Sequence, residues 1–133
     1  LQRINPGVAI ESHQVRLTPD NIPAIYQNID ILIEAFDLAD QKAMLAEAAE
    51  KAFPGRPIIL GLGMGGYGFN NLMHTRSTGN LHICGDEIAE AGPNIGLMAP
   101  RVSIAANLQA NLALEILLGP DEHLKKILAG KPA

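Results

Sequence analysis

The chain has 133 residues, 47% of them hydrophobic and 18% charged, and its formal net charge is −4 at pH 7. These values describe a globular domain with its own core and exclude a disordered chain. The negative net charge argues against nucleic acid as a partner, because proteins that bind nucleic acids usually carry an excess of basic residues. One cysteine excludes an internal disulfide framework.

The first half of the chain alternates between strand and helix patterns. In order, these patterns predict a strand at 8–13, a short helix at 18–27, a buried strand from residue 29, a helix at 38–53 and a second buried strand at 56–60. The strand from residue 29 is a short apolar run with β-branched residues that ends near the carboxylates of Glu34 and Asp37. The helix after it contains neither Gly nor Pro.

The second half begins with a glycine-rich stretch at 61–68 and continues without helical periodicity to residue 77. A further strand is predicted at 81–84, then a loop at 85–96, a long apolar helix at 99–118 and a small helix at 121–129 with Asp121 as its N-cap and Gly130 as its C-cap. The apolar helix has the length of a membrane span. A mostly buried helix is favoured because polar residues recur every four positions, at Ser103, Asn107, Asn111 and Glu115.

This order of elements predicts an α/β fold with a parallel sheet, right-handed crossovers and later strands added antiparallel at its edge. In such sheets the ligand crevice lies at the carboxyl ends of the strands. Glu34 and Asp37 stand where a strand ends and a helix begins. The sequence therefore predicts a site at this edge, with these two carboxylates in it.

Each charged residue near this edge has a structural and a functional interpretation. Asp37 caps the following helix through a backbone N–H, or it holds Mg²⁺ beside nucleotide phosphates; the residue types alone favour the cap. Glu34 lies inside the strand and needs a hydrogen bond or an ion pair, because burial of an unpaired carboxylate is costly. Lys42, in the first turn of the helix, either reaches a phosphate or stays solvated, and the solvated state is favoured.

The stretch Gly61-Leu62-Gly63-Met64-Gly65-Gly66 matches the spacing G-x-G-x-x-G after a strand, and Asp86 follows 20 residues beyond Gly66. This is the pattern of a dinucleotide site, in which a helix N-terminus receives the pyrophosphate. Residues 67–71 are a poor helix start, however, and the next glycine, Gly79, leaves little room for a crossover helix. The pattern favours a turn whose glycines allow close backbone packing over a site for a nicotinamide-dependent oxidoreductase.

Cys84 and His82 are two residues apart in a predicted strand and so point to the same face. A nucleophilic Cys84 is one interpretation, and a small core residue is the favoured one. His74, His82 and Cys84 form a weaker metal-site hypothesis, because no Cys-x-x-Cys pair supports it.

Taken together, the motifs resemble the ThiF/MoeB family of ubiquitin-activating-enzyme-like adenylyltransferases. Residues 3–10 are similar to the family's INP-x-V-x-I strand, and residues 34–37 fall at its D-x-x-D motif. Residues 96–102, followed by Leu108-Gln109-Ala110, resemble the family's final helix with its LQA signature. The likeness runs in order through nearly the whole chain and is greatest to the ThiF-like branch associated with thiamine biosynthesis.

The resemblance implies a Rossmann-like mixed sheet with helices on both faces and ATP-dependent adenylation of the C-terminal Gly-Gly of a ThiS-like sulfur carrier, with ATP and Mg²⁺ as cofactors. By position Asp37 matches the family's magnesium aspartate, so the resemblance favours a metal-site role for Asp37, a role that is compatible with capping. Lys42 becomes a candidate nucleotide contact and Cys84 a candidate catalytic residue. We also expect a cytoplasmic protein without a membrane partner.

The chain also departs from the family pattern. Glu34 replaces the first Asp of the motif, Leu38 replaces the Asn that follows it, and Lys42 stands where Arg is frequent. The zinc-binding Cys-x-x-Cys pairs of many members are absent, so no structural zinc is expected. Cys84 precedes the loop that carries a sulfur-transfer cysteine in some members.

The family's glycine-rich nucleotide loop, ribose-binding acid and phosphate-binding basic residues precede its INP segment. The sequence is therefore expected to be the C-terminal part of such an enzyme, one domain truncated at its N-terminus and inactive in adenylation by itself. Missing strands leave sheet edges open, so a homo-oligomer or pairing with the missing part is expected.

Overall fold

A computed structural model describes residues 1–130 as a four-stranded sheet with helices. In chain order the elements are α1 (Ile22–Ile25), β1 (Leu32–Ile33), α2 (Ala39–Ala52), β2 (Ile58–Gly61), β3 (His74–Thr78), β4 (Leu81–Gly85), α3 (Ala99–Leu118) and α4 (Glu122–Ala129). A short 3₁₀ turn, Asn70–Leu72, precedes β3. The predicted α/β class is confirmed.

The strands lie in the order β1-β2-β4-β3. β1, β2 and β4 are parallel, with Leu32 opposite Ile58 and Ile58 opposite Leu81, whereas β3 is antiparallel to β4 at the edge. The turn between β3 and β4 consists of Gly79 and Asn80, and Gly79 has a φ of 61°. The carboxyl ends of the three parallel strands therefore point to one edge of the sheet.

The main core lies between the sheet and the first two helices. α2 buries Leu45 and Ala49, and with Phe53 after the helix they form a stripe at helical spacing. This stripe packs with Leu32, Ile58 and Ile22 in one cluster. The stripe extends backward to Lys42, one turn before Leu45, which brings a charged residue towards the end of β1.

The opposite face of the sheet is covered by α3, which contacts β2 and β4. The predicted bounds of α3 and its exposed polar stripe are correct. The expectation of a mostly buried helix is wrong, because only Arg101 and Ala105 are buried, and Leu114, Leu117 and Leu118 in the second half are more than half exposed. Within residues 1–130 no single helix is long and apolar enough to span a membrane; α3 and α4 meet those limits only as a pair bent by 103°.

Three further sequence expectations about helices and strands differ from the structure. Residues 8–13 form no strand, because the segment has no pairing partner among residues 1–130, and Val8 and Ile10 are more than 40% exposed. α1 is shorter than predicted, since Thr18 and Asn21 form a turn closed by their own hydrogen bonds. β3 was not expected, because its residues are polar and all are exposed.

Candidate functional site

The candidate site is the edge at which β1, β2 and β4 end. The segments that follow these strands are residues 34–38, 62–69 and 86–90, and all three are irregular. Glu34 and Asp37 lie in the first segment, the glycine-rich stretch is the second, and Asp86 opens the third. The predicted position of the two carboxylates at the carboxyl edge of the sheet agrees with this arrangement.

Glu34 is fully buried and paired. Its side chain is 0% exposed, and both carboxylate oxygens accept hydrogen bonds from Lys42 Nζ, at 3.1 Å and 3.0 Å. The backbone N–H of Phe36 donates to the same carboxylate. The expectation that Glu34 needs a partner is confirmed. The solvated state favoured for Lys42 is wrong, because its side chain is only 13% exposed and its ammonium group lies on Glu34.

Asp37 is exposed and takes no part in capping α2. The N-cap residue is Leu38, whose backbone is extended, and the helix has no side-chain cap. The capping interpretation is therefore wrong, because the helix begins one residue too late for the Asp37 carboxylate to act as its N-cap. Within residues 1–130 the Asp37 carboxylate makes no ion pair or hydrogen bond, so it faces the solvent at the edge of the sheet.

Gln109 connects α3 to the end of β1. Its Nε2 donates to the backbone carbonyl of Glu34 at 3.1 Å. A Cβ on Gly61 would lie 3.5 Å from the same Nε2, so the amide lies close to the end of β2 and a side chain at that position would meet it. The sequence analysis placed Gln109 in the LQA signature but assigned it no contact. The available signal for a contact was a single amide side chain on the apolar part of the helix.

The glycine-rich stretch packs against the segment that follows β4 instead of opening a helix. No α-helix follows it before β3. Hydrogen bonds join Gly65 N to Ala89 O at 2.8 Å, Gly66 N to Gly96 O at 2.9 Å and Asp86 N to Gly63 O at 2.9 Å. This geometry contradicts the dinucleotide fingerprint and with it the oxidoreductase alternative, because no helix N-terminus is present to receive a pyrophosphate.

Asp86 is buried and paired with Arg101, so it is not the ribose-binding acid of a dinucleotide site. Its Oδ1 accepts from the backbone N–H groups of Ile88 and Ala89, at 2.9 Å and 2.8 Å. Burial by itself raises the pKa of the Asp86 carboxyl, but these amides and the Arg101 charge outweigh it and hold the pKa below its usual value. Arg101 also donates to the carbonyl of Gly68 at 2.8 Å.

The Asp86–Arg101 pair therefore fixes three segments to one another: the start of α3, the glycine-rich stretch and the loop after β4. The sequence analysis assigned no contact to Arg101, which it included only in the segment 96–102 that resembles the family's final helix. The sequence did contain a signal for this ion pair. Arg101 lies in the first turn of an apolar helix, and Asp86 directly follows a strand.

His74, Arg76 and Glu87 form an exposed cluster that the sequence did not predict. Glu87 accepts from Arg76 Nε at 2.9 Å, and His74 Nε2 lies 3.1 Å from its Oε1. The hydrogen bonds from Arg76 lower the pKa of Glu87 to about 2. The carbonyl of Leu72 and the carboxylate of Glu87 raise the pKa of His74. The cluster joins β3 to the loop after β4.

Cys84 has the properties of a core thiol. It is 0% exposed, burial raises the pKa of its thiol, and its Sγ lies 3.6 Å from Thr75 Oγ1. A nucleophilic cysteine requires the opposite, an accessible thiol with a lowered pKa. His82 Nδ1 lies 2.7 Å from Ser77 Oγ. Among the described residues no group of three His, Cys, Asp or Glu side chains can hold a metal ion, which contradicts the His74, His82 and Cys84 hypothesis.

Comparisons with known proteins agree with this architecture. The sequence model of the ThiF family matches residues 1–130. The adenylyltransferase and sulfurtransferase uba4 of Ogataea parapolymorpha is 25% identical over 125 residues, which are 90% of this chain and 32% of the relative. The sulfur carrier protein ThiS adenylyltransferase of Bacillus subtilis is 27% identical over 124 residues, 91% of this chain and 36% of the relative. The chain thus spans about a third of the length of these relatives. No solved structure gives a significant match.

Proposed function

Because the chain belongs to the ThiF family, we propose that it is part of an ATP-dependent adenylyltransferase that activates the C-terminal Gly-Gly of a ThiS-like sulfur carrier. The reaction would serve thiamine biosynthesis or a related sulfur transfer. The relatives are named as adenylyltransferases, and the one from Bacillus subtilis is named for the sulfur carrier protein ThiS. Since the chain spans about a third of them, its activity, carrier and nucleotide are all parts of this proposal.

The observation that carries the proposal is the position of Asp37. Its carboxylate is exposed at the carboxyl edge of the sheet, outside the N-cap of α2, and is therefore available to a ligand. Mg²⁺ is commonly held by one or two carboxylates together with phosphate and water oxygens. A single carboxylate thus fits Mg²⁺ bound with a nucleotide, although it does not fit a metal held by protein groups alone. When bound there, Mg²⁺ would offset negative charge on the phosphates.

In the proposed reaction a carboxylate oxygen of the carrier's terminal glycine attacks the α-phosphorus of ATP. A new C–O–P bond forms, the bond from the α-phosphorus to the bridging oxygen breaks, and pyrophosphate leaves with that electron pair. Catalysis of such transfers consists mainly of positioning and charge stabilisation. The contribution of this chain is to present Asp37 from a fixed turn at the sheet edge. In this structure the ammonium group of Lys42 lies on the Glu34 carboxylate and its side chain is only 13% exposed, so the proposal assigns Lys42 to Glu34 instead of to a phosphate.

A non-catalytic carrier-binding module is the second candidate. It is favoured by the fact that only one of the two motif carboxylates faces the solvent, the other being buried against Lys42. The two candidates differ in whether Asp37 supports turnover of ATP.

Pyrophosphate exchange, measured with protein expressed from the gene that encodes this chain, discriminates between them. With ATP, Mg²⁺ and a ThiS-like carrier, we expect carrier-dependent exchange that Asp37→Asn lowers by roughly a hundredfold or more. Asp30→Asn is the matched control, because Asp30 is also an exposed acid but precedes β1. If the wild type and the Asp37→Asn variant both bind the carrier and neither supports exchange, the result would favour the carrier-binding module over the adenylyltransferase.

The open edge of β1 supports a further part of the proposal, self-association or pairing with another segment. β1 is an edge strand of the described sheet, Ile33 is 48% exposed, and a cavity of about 400 Å³ lies beside it. Unpaired strand edges recruit other strands. Sedimentation at micromolar concentration is expected to show a species larger than the monomer, and a single monomeric species would contradict this.

A further inference from the structure

We infer that Lys42, Glu34 and Gln109 act together as a positioning group that fixes the turn carrying Asp37. The inference rests on the proposed function, since it concerns how Asp37 is held for its role. It assigns to Lys42 a part that does not involve contact with the nucleotide. It also explains why a charge is buried at the end of β1.

The first observation is the arrangement around the Glu34 carboxylate. A buried charge is costly and is tolerated only when it is paired and hydrogen-bonded. Here the carboxylate accepts from Lys42 Nζ through both oxygens and from the N–H of Phe36, two residues further along the chain. The bond to Phe36 closes the turn on itself, and the bonds to Lys42 fasten the turn to the first turn of α2.

The second observation is that the other face of the sheet holds the same residue. Gln109 of α3 donates to the Glu34 carbonyl at 3.1 Å. The side chain of Glu34 is therefore fixed by α2 and its main chain by α3. Helices on both faces of the sheet thus determine where β1 ends.

The third observation is that the turn has few other restraints: Phe36 packs against the core, and the carbonyl of Leu38 accepts from the N–H groups of Gln41 and Lys42 at 3.1 Å and 3.0 Å. Ala35, Asp37 and Leu38 are all exposed, and α2 has no side-chain cap that would order its entry. The contacts of Glu34 are the side-chain hydrogen bonds that hold the turn immediately before Asp37. A purely structural ion pair would stabilise the fold, whereas a positioning group also sets metal affinity through Asp37. Supporting residues of this kind change metal affinity by about 10–100-fold when they are replaced.

The test uses ¹⁵N-labelled protein expressed from the gene that encodes this chain and the Mn²⁺ complex of ATP, whose unpaired electrons broaden nearby amide signals. In the wild type we expect the amide signal of Asp37 to broaden at a lower probe concentration than those of Asp20 and Asp30, which are exposed acids elsewhere in the chain. The double variant Glu34→Gln/Lys42→Met removes both charges together, so that neither is left unpaired. We expect it to need about tenfold more probe for equal broadening and to show faster hydrogen exchange at Phe36.

The conservative variant Lys42→Arg keeps a cation on Glu34 and is expected to retain the wild-type response. Glu122→Gln/Lys125→Met removes an exposed ion pair on α4 and serves as the charge-matched control. Gln109→Met removes only the amide donor and is expected to weaken the response several-fold, about half the logarithmic effect of the double variant. It keeps the inference testable if the double variant does not fold.

A folded double variant with wild-type broadening and wild-type exchange at Phe36 would overturn the inference and leave the role of Asp37 intact. A wild type without preferential broadening at Asp37 would instead remove the metal role of Asp37, and the inference would fall with it. The two failures are therefore distinguishable.

Discussion

Replacing Gly63 by alanine tests whether the glycine-rich stretch serves backbone packing. Gly63 has a φ of +74°, and a Cβ there would lie 2.0 Å from Asp86 Oδ1 and 2.4 Å from Glu87 N. Gly68, in the same stretch, also has a φ of +74°, and Gly55 has a φ of +78°, but a Cβ at either would meet nothing within 4 Å. The three substitutions therefore share the backbone strain, and only Gly63→Ala adds a clash.

The magnitudes follow from these two terms. A left-handed backbone costs alanine about 1–2 kcal/mol, which is the expected loss for Gly68→Ala and Gly55→Ala. Gly63→Ala must also displace Asp86, and disruption of its buried pair with Arg101 adds roughly 3–5 kcal/mol. We expect a total of about 4–7 kcal/mol, measured as the free energy of unfolding from urea denaturation with unchanged slopes. A Gly63→Ala protein within about 1 kcal/mol of Gly68→Ala would refute the packing interpretation.

Three further predictions concern stability and reactivity. Lys42→Met leaves the buried Glu34 carboxylate without its cation and should lower the free energy of unfolding by about 3–5 kcal/mol in urea denaturation, whereas a loss below about 1 kcal/mol would contradict the buried pair. Cys84 should react with a thiol reagent only as fast as the chain unfolds, and rapid labelling of the native chain would restore the nucleophile hypothesis. The raised pKa of His74 gives a stabilising contribution that is complete below its ordinary value of 6.5 and is lost as the pH rises through the raised pKa. The lowered pKa of Glu87 gives a second stabilising contribution, which is complete above pH 4.5 and is lost as the pH falls through about 2. The contact between His74 and Glu87 should therefore be most stable between pH 4.5 and 6.5. A His74 ring that titrates by NMR at or below pH 6.5 would contradict this.

The helices were the most predictable part of the fold, because their signals are local. The bounds of α3 were predicted correctly, and Asp121 caps α4 as expected by accepting from the N–H groups of His123 and Leu124, at 2.9 Å and 3.0 Å. The bounds of α3 and the N-cap of α4 are both determined by residues that lie within one or two helical turns of each other. Such patterns can be identified without knowledge of the tertiary structure.

Strands were less predictable, because a strand requires a partner. Residues 8–13 have an alternating pattern but no pairing segment among the described residues. β3 has no apolar pattern and forms because β4 lies beside it. The Gly79-Asn80 turn was the one local signal for this hairpin, and the polar flanking residues obscured it.

The site was predictable in position but not in its contacts. The strand-to-helix boundary placed Glu34 and Asp37 at the carboxyl edge, and the cost of burial indicated that Glu34 needs a partner. Lys42 was identifiable as that partner only from the buried stripe of α2, which it precedes by one turn. The contact of Gln109 with Glu34 spans 75 positions and requires the packed sheet.

The most direct test of the proposed chemistry is whether the carrier becomes linked to AMP. Intact-mass analysis of a ThiS-like carrier, after incubation with ATP, Mg²⁺ and protein expressed from the gene for this chain, should show AMP on the terminal glycine. The adduct should be absent when the carrier lacks that glycine and strongly reduced with Asp37→Asn. A carrier that binds the protein but never acquires AMP, or an equal yield of adduct with Asp37→Asn, would contradict the role assigned to the edge of β1.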